Sequence, residues 1–396
     1  MTFTLAPQIE EVRRRAAALT DDALAERAYE TDRTGNYPWD VQSILANEGF
    51  LGLHVPVEFG GAGLGLTGMC VAMEEISRMD ASTCGILDAC GLGSYALLLG
   101  GTDEQRRRWL PRIATGRSMV SFALTERAAG SDPASMLTHA RRDNDGSFVL
   151  QGSKCFIGNA GPADLYVVFA KLDDQTGMVA LLLERGQSGF FLGKREDKMG
   201  LRGTETYELH FDECVVPPTD VVGEIGRGFR LALSVLDVGR ITIGAQALGI
   251  ARGALELATA WAMERRQFGT RIADFQATRF KIADIATDIE GVANMLYALT
   301  TAYDADPAVP GLTAKASALK VYATEAARRA VNHSLQIHGG YGYMKEQAIE
   351  RIYRDQRIIE IYEGTSEIQR HVLARTITSE TFTQHLITDQ PATVLP

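Results

Sequence analysis

Glu363 is the residue whose setting most resembles chemistry in waiting. It lies within RIYRDQRIIEIYEGTSEIQR (351–370), where an apolar-periodic helix runs to Ile361-Tyr362 and Gly364 supplies the stop expected just past a helix end. Ser366 and Gln369 match the S-x-x-Q spacing of a capping box, so a second helix is predicted to begin at once. The carboxylate therefore stands in a tight turn beside a helix N-terminus, whose N–H groups and positive end suit an anionic oxygen. A carboxylate base next to an oxyanion-binding amide is what removal of a proton beside a carbonyl requires. A glutamate in a turn is also an ordinary solvated surface residue, and spacing alone leaves both readings open.

Other candidates are weaker. Asp237 and Arg240 lie three apart on a long helical pattern and share one face, the plain reading being an intrahelical ion pair. Gly63-Leu64-Gly65-Leu66-Thr67-Gly68 matches G-x-G-x-x-G, but it falls between helices with no preceding strand or βαβ unit, so it reads as a glycine-rich connection. The seven histidines show no ligand spacing, and no metal is expected. The five cysteines are scattered without a C-x-x-C pair, which fits a reducing cytoplasm. A net charge of −10 argues against a nucleic-acid binder, although local arginines and backbone N–H groups still suit a phosphate. No signal-peptide core is apparent, and no apolar run approaches the roughly 20 residues of a membrane span.

The elements that would position these residues follow a simple order. Residues 1–119 read as helical, with Val41, Ile44, Leu45 and Phe50 near one face. Residues 120–228 hold short β-rich runs such as Leu165–Ala170 and Met178–Leu183, punctuated by turns, and read as an antiparallel β-domain. Residues 229–396 return to long helical patterns with short connections, the mark of a bundle. The class is α+β and multidomain, and the lack of strand–helix alternation argues against a doubly wound sheet.

Against this background, Ile361-Tyr362-Glu363-Gly364-Thr365-Ser366-Glu367-Ile368-Gln369-Arg370 resembles the C-terminal signature of the acyl-CoA dehydrogenase family. Leu124-Thr125-Glu126-x-x-Ala129-Gly130-Ser131-Asp132 resembles the family's flavin-binding loop. Arg265-x-Gln267-Phe268-Gly269 resembles its flavin diphosphate clamp, and Gln336-Ile337-His338-Gly339-Gly340 its adenine-side loop. Gly193–Gly203 and Leu236–Arg240 look most like the short-chain, butyryl-CoA dehydrogenase-like branch.

The resemblance implies FAD between the β-domain and a four-helix bundle, a homotetramer, an acyl-CoA substrate and an electron-transferring flavoprotein as acceptor. A carrier-protein thioester as substrate and an oxidase on the same fold stay open as alternatives. Carried over by position, Glu363 is the base and Gly364 N–H an oxyanion donor. Phe122, Leu124, Thr125, Ser131, Phe156, Gly158, Thr365 and Glu367 line the flavin, and Ser131, Asp237 and Arg240 the thioester. Arg265, Gln267, Phe268, Gln336, Gly339 and Gly340 hold the FAD of a partner subunit. Gly239 stands where other branches carry their glutamate. Four positions depart from the family: Phe156 for a tryptophan, Gly158 for a hydroxyl residue that bonds flavin N5, and Phe122 and Arg127 in the flavin loop.

Overall fold

The computed structural model describes residues 5–173 and 177–378, so the part of the expected helical domain at residues 379–396 lies outside the described residues. α1 (Pro7–Leu19) passes through a π-turn into α2 (Ala25–Thr34), followed by α3 (Trp39–Asn47), α4 (Gly65–Ser77), α5 (Ala81–Gly100) and α6 (Asp103–Ala114). α1 buries Ile9, Val12 and Ala16, spaced three and four apart, towards α4. Thr102 and Gln105 form a capping box at the start of α6, with Gln105 N donating to Thr102 Oγ1 at 3.2 Å and Thr102 N to Gln105 Oε1 at 3.0 Å. At the glycine-rich connection, Leu66 N and Thr67 N donate to the Asp304 carboxylate at 2.7 and 2.9 Å. An internal carboxylate thus occupies the anion position that a dinucleotide phosphate would need.

The strands are β1 (Val120–Ala123), β2 (His139–Arg142), β3 (Phe148–Gly158), β4 (Leu165–Leu172), β5 (Met178–Glu184), β6 (Phe190–Arg195), β7 (Thr206–Val216) and β8 (Val221–Gly226). They form one sheet in the order β6-β7-β3-β2-β4-β5-β8. β1 and β2 both pair with β4 in parallel, so the expectation of an antiparallel domain is corrected to a mixed sheet. No hairpin joins β1 to β4; the chain makes β2 and β3 first, and a connection of that length permits parallel pairing.

α7 (Gly228–Glu264, 37 residues) begins the bundle, and a two-stranded turn, β9 (Arg266–Gln267) and β10 (Thr270–Arg271), leads into α8 (Gln276–Ala305). α9 (Leu312–His338), α10 (Ala348–Gln356) and α11 (Ser366–Ile377) follow. α7 packs on α8 and α9 and also on α4 and α5. Gly249 makes the α4 contact possible, since a Cβ there would lie 2.0 Å from Glu74 O. One apolar core consequently runs from the N-terminal helices through the bundle, and a second fills the sheet around Phe148, Tyr166 and Phe211. α5 and α7 are each, by length and composition, long and apolar enough to cross a membrane. That corrects the reading that no stretch approaches a span. Most of each such stretch is buried within the fold, as befits core helices.

Candidate active site

The chain reverses between α10 and α11 at Glu363 and Gly364, whose φ angles are +55° and +91°. A non-glycine residue in this region costs about 1–3 kcal/mol and persists only where its surroundings hold it. Side chains supply the hold. Lys320, fully buried on α9, donates Nζ to Tyr362 O at 2.9 Å and to Gly364 O at 2.6 Å. Gln369 Nε2 donates to Glu363 O at 2.9 Å and Gly364 O at 3.1 Å, and the Tyr362 hydroxyl donates to Gln246 Oε1 on α7.

The cap of α11 is Thr365, whose Oγ1 accepts from Ile368 N at 3.3 Å. The capping box read at Ser366 and Gln369 is corrected. The register begins one residue earlier, and Gln369, buried beneath the turn, serves its carbonyls rather than the cap amide. With those carbonyls engaged, the N–H groups of Glu363 and Gly364 donate to no protein group among the described residues.

Glu363 is half-buried as a residue, but its Oε2 is buried and has no hydrogen-bond partner. A Cβ built on Gly239 would stand 2.5 Å from that oxygen and 2.9 Å from Leu92 Cδ2, so the carboxylate lies over the bare face of α7. Burial lifts the Glu363 pKa well above the usual carboxylate range; the Asp88 charge adds to the rise, while Lys320 and Arg240 oppose it. Asp88, the sole charged residue of α5, is buried and accepts from Thr242 Oγ1 at 2.6 Å, and burial raises its pKa too. The two carboxyls titrate as a pair. Asp237 and Arg240 form the expected ion pair at 2.6 Å, both buried. The second Asp237 oxygen accepts from Thr313 Oγ1 at 2.6 Å, so both its oxygens are engaged within the chain, while Arg240 Nε has no partner.

The β-domain residues gather at the ends of β1 and β3. Leu124 O accepts from buried Lys154 Nζ at 3.0 Å, and Thr125 O from Cys155 N at 2.9 Å, which ties the 124–131 loop to β3. Phe156 sits at φ +57° on a β3 bulge with its side chain 65% exposed. A Cβ on Gly158 would meet nothing within 4 Å. Neighbouring Asn159 Nδ2 reaches Cys90 Sγ at 3.6 Å; Cys90 lies two residues from both Asp88 and Leu92, so this edge meets the face of α5 opposite the one they occupy. The Phe122 ring packs tilted against Phe169 at 4.9 Å, Arg127 pairs with Glu208, and Ser131 and Glu367 are exposed while Thr365 is half-buried.

The remaining residues form a separate groove. Arg265, Gln267, Gly339 and Gly340 line a cavity of about 470 Å³ floored by Trp261 and His338, whose rings stack at 5.0 Å. Arg265 lies 5.5 Å over the Tyr341 ring, Gln336 is exposed nearby on α9, and Phe268 projects 95% exposed from the β9–β10 turn. At about 1.5 Å per residue along α7, Arg265 is roughly 40 Å from Gly239. Within one chain the groove and the Glu363 turn are separate places.

Sequence reasoning missed Lys320 and Asp88. Each carried a signal. Asp88 interrupts an otherwise uncharged helix, and Lys320 shares the buried α9 face of Ala316, Ala323 and Ala327 at spacings of three and four.

Comparison with known proteins covers nearly the whole chain. Residues 6–117, 121–214 and 226–378 match the N-terminal, middle and C-terminal domains of acyl-CoA dehydrogenase in turn. A probable acyl-CoA dehydrogenase of Mycobacterium tuberculosis is 39% identical over 378 residues, 95% of this chain and 96% of its own. Among solved structures, butyryl-CoA dehydrogenase from Megasphaera elsdenii superposes with a TM-score of 0.92 at 35% identity, covering 96% of this chain and all of the other. An acyl-CoA dehydrogenase of Bacillus anthracis complexed with FAD gives 0.89 at 29% identity, covering 96% of this chain and 68% of that one. Three domain matches in order, a relative aligned end to end, and a glutamate turn held over a bare helix face together make this chain a member of the acyl-CoA dehydrogenase family.

Proposed function

We propose that Glu363 is the base that removes the α-proton of an acyl-CoA thioester as its β-hydride leaves, giving the 2,3-enoyl-CoA. The observation that carries this reading is the buried, unpartnered Glu363 Oε2 in a turn whose own amides are free. Its raised pKa makes it an effective proton acceptor near neutrality, where a solvated carboxylate is too weak a base. As negative charge develops on the thioester carbonyl, the Gly364 N–H and the positive end of α11 stabilise it.

The residues present fit FAD. The exposed Phe156 ring and the open space before Gly158 leave room for a flat ring system at this edge of the β-domain. Leu124, Thr125, Ser131, Thr365 and Glu367 would hold it there, with Phe122 behind them. FAD supplies the acceptor for the hydride. Glu363 keeps the proton until product leaves, and the turn's packing against α7 and α9 excludes water from it.

The separation of the Arg265 groove from Glu363 supports its serving the FAD of a second copy, in a homotetramer. Arg265, Gln267, Phe268, Gln336, Gly339 and Gly340 would then make the shared site. Asp237 and Arg240 would border the thioester arm, an electron-transferring flavoprotein would take the electrons, and the cytoplasm would house the reaction. The test is anaerobic titration of the yellow, FAD-loaded protein with acyl-CoAs of graded length, for wild type and Glu363→Gln. Some acyl-CoA bleaches the wild-type flavin, and the variant reduces it about 10²- to 10⁴-fold more slowly while still binding ligand. Equal rates would remove Glu363 from the mechanism.

A further inference from the structure

We propose that Lys320 is the positioning residue of the active-site turn: its ammonium clamps the Tyr362 and Gly364 carbonyls, and so fixes the base and its two neighbouring amides in the geometry that proton transfer needs. This deepens the reading of Glu363 as base and rests on it. Lys320 has no exposed surface, and its Nζ bridges the carbonyls on either side of Glu363 at 2.9 and 2.6 Å. Together with Gln369 it turns three consecutive carbonyls away from the side on which Oε2 lies unpartnered.

Packing alone asks for no charge at this position. Its companions on the face of α9 are Ala316, Ala323 and Ala327, and methionine has nearly the same length and shape. Burying an ammonium group costs several kcal/mol unless partners compensate, and here the partners are the two carbonyls of the turn. The charged groups around the ammonium are Glu363, Glu360 and Glu367 on the turn and its flanks and Arg240 on α7. Asp88 on α5 faces Glu363 from the other side. Burial lowers the Lys320 pKa to about 8, so the group is a cation at neutral pH and favours the ionised base.

Lys320→Met and Lys320→Gln, each FAD-loaded, separate positioning from mere filling. With a saturating short acyl-CoA, both should reduce flavin about 10²-fold more slowly, the effect of misplacing a reacting group by ~1 Å, with KM nearly unchanged. Loss of the cation makes the carboxylate harder to form, so the acid limb of the pH profile should move to higher pH, by roughly one unit or more. The ¹³C resonance of the labelled Glu363 carboxyl should titrate upward with it. Wild-type rate and pH limb in either folded variant, or a loss confined to KM, would overturn the clamp; if Lys320→Met does not fold, Lys320→Gln carries the test. Glu363→Gln run alongside separates the two ideas. If it alone is inactive while both lysine variants behave as wild type, only the clamp fails; if it too is fully active, the base assignment fails.

Discussion

Gly239→Ala adds one methyl group where α7 passes beneath the base, and the structure fixes what that methyl meets. It would stand 2.5 Å from Glu363 Oε2 and 2.9 Å from Leu92 Cδ2, against the 3.4 Å at which ordinary contact begins. The carboxylate oxygen must therefore retreat by close to 1 Å, and the leucine methyl by about half as much. Both are the ends of flexible side chains, so the helix backbone need not move. The packing cost sits at the low end of the roughly 1–3 kcal/mol typical of overfilled cores. Replacing a glycine inside a helix returns about 0.5–1 kcal/mol. These nearly cancel, and the melting temperature should change by no more than a few degrees.

Activity should not be spared. A base displaced by ~1 Å costs around 10²-fold in the chemical step, so anaerobic stopped-flow flavin reduction should slow by that order while FAD content stays the same. Gly249→Ala is the control within the same helix. Its methyl would meet the Glu74 backbone carbonyl at 2.0 Å, which cannot swing aside, so it should destabilise the fold strongly. A Gly239→Ala enzyme with wild-type reduction kinetics would refute the placement of the base over α7. One that melts as badly as Gly249→Ala would show that the carboxylate is not free to yield.

Two further perturbations follow from the same geometry. Asp88→Asn removes the neighbouring charge that helps raise the Glu363 pKa, so the base should ionise at lower pH and the acid limb of flavin reduction should shift downward; an unmoved limb would uncouple the two carboxyls. Because burial raises the Asp88 pKa, its folded form binds protons more tightly than the unfolded chain, and stability is lost as pH rises from the unfolded carboxyl pKa towards the raised one; Asp88→Asn should flatten that loss in a melting series. Gly158→Ser meets no steric barrier and would restore a hydroxyl at the flavin edge, so the reduction potential or the oxygen reactivity of the flavin should change; wild-type values for both would mean that the glycine is neutral there.

The Glu363 turn could be read from sequence because its punctuation is local: an apolar helix, a glycine, then cap residues. What could not be read was register. Thr365 and Ser366 are equally good caps, and only the burial of Gln369 under the turn decides between them. The parallel pairing of β1 with β4 left no trace either. Val120 and Leu165 are partners, but the pairing is set by where the intervening strands close, and periodicity within each strand is blind to it. Lys320 and Asp88 are different again. Their types were visible, yet a lysine in a helix ordinarily snorkels to solvent, and only packing shows that this one does not.

Positive φ is ordinarily glycine's, yet six non-glycine residues among the described residues adopt it. Phe156, Phe268 and Glu363 all adopt it while carrying large side chains. A chain bent this way leaves carbonyls without their usual partners, and buried carbonyls must find donors elsewhere. At Glu363 a buried lysine answers that need. Lys320 bridges the carbonyls around Glu363, while Lys154, two residues before Phe156, donates to Leu124 O and pairs with Glu126 at 2.8 Å. Both side chains are fully buried, and burial lowers each pKa to about 8. An ammonium group offers three donors on a flexible stem, which suits it to carbonyls that no neighbouring strand or helix can reach. Lys320 therefore holds the bend that carries the base, while Lys154 ties β3, two residues before the exposed Phe156 ring, to the 124–131 loop.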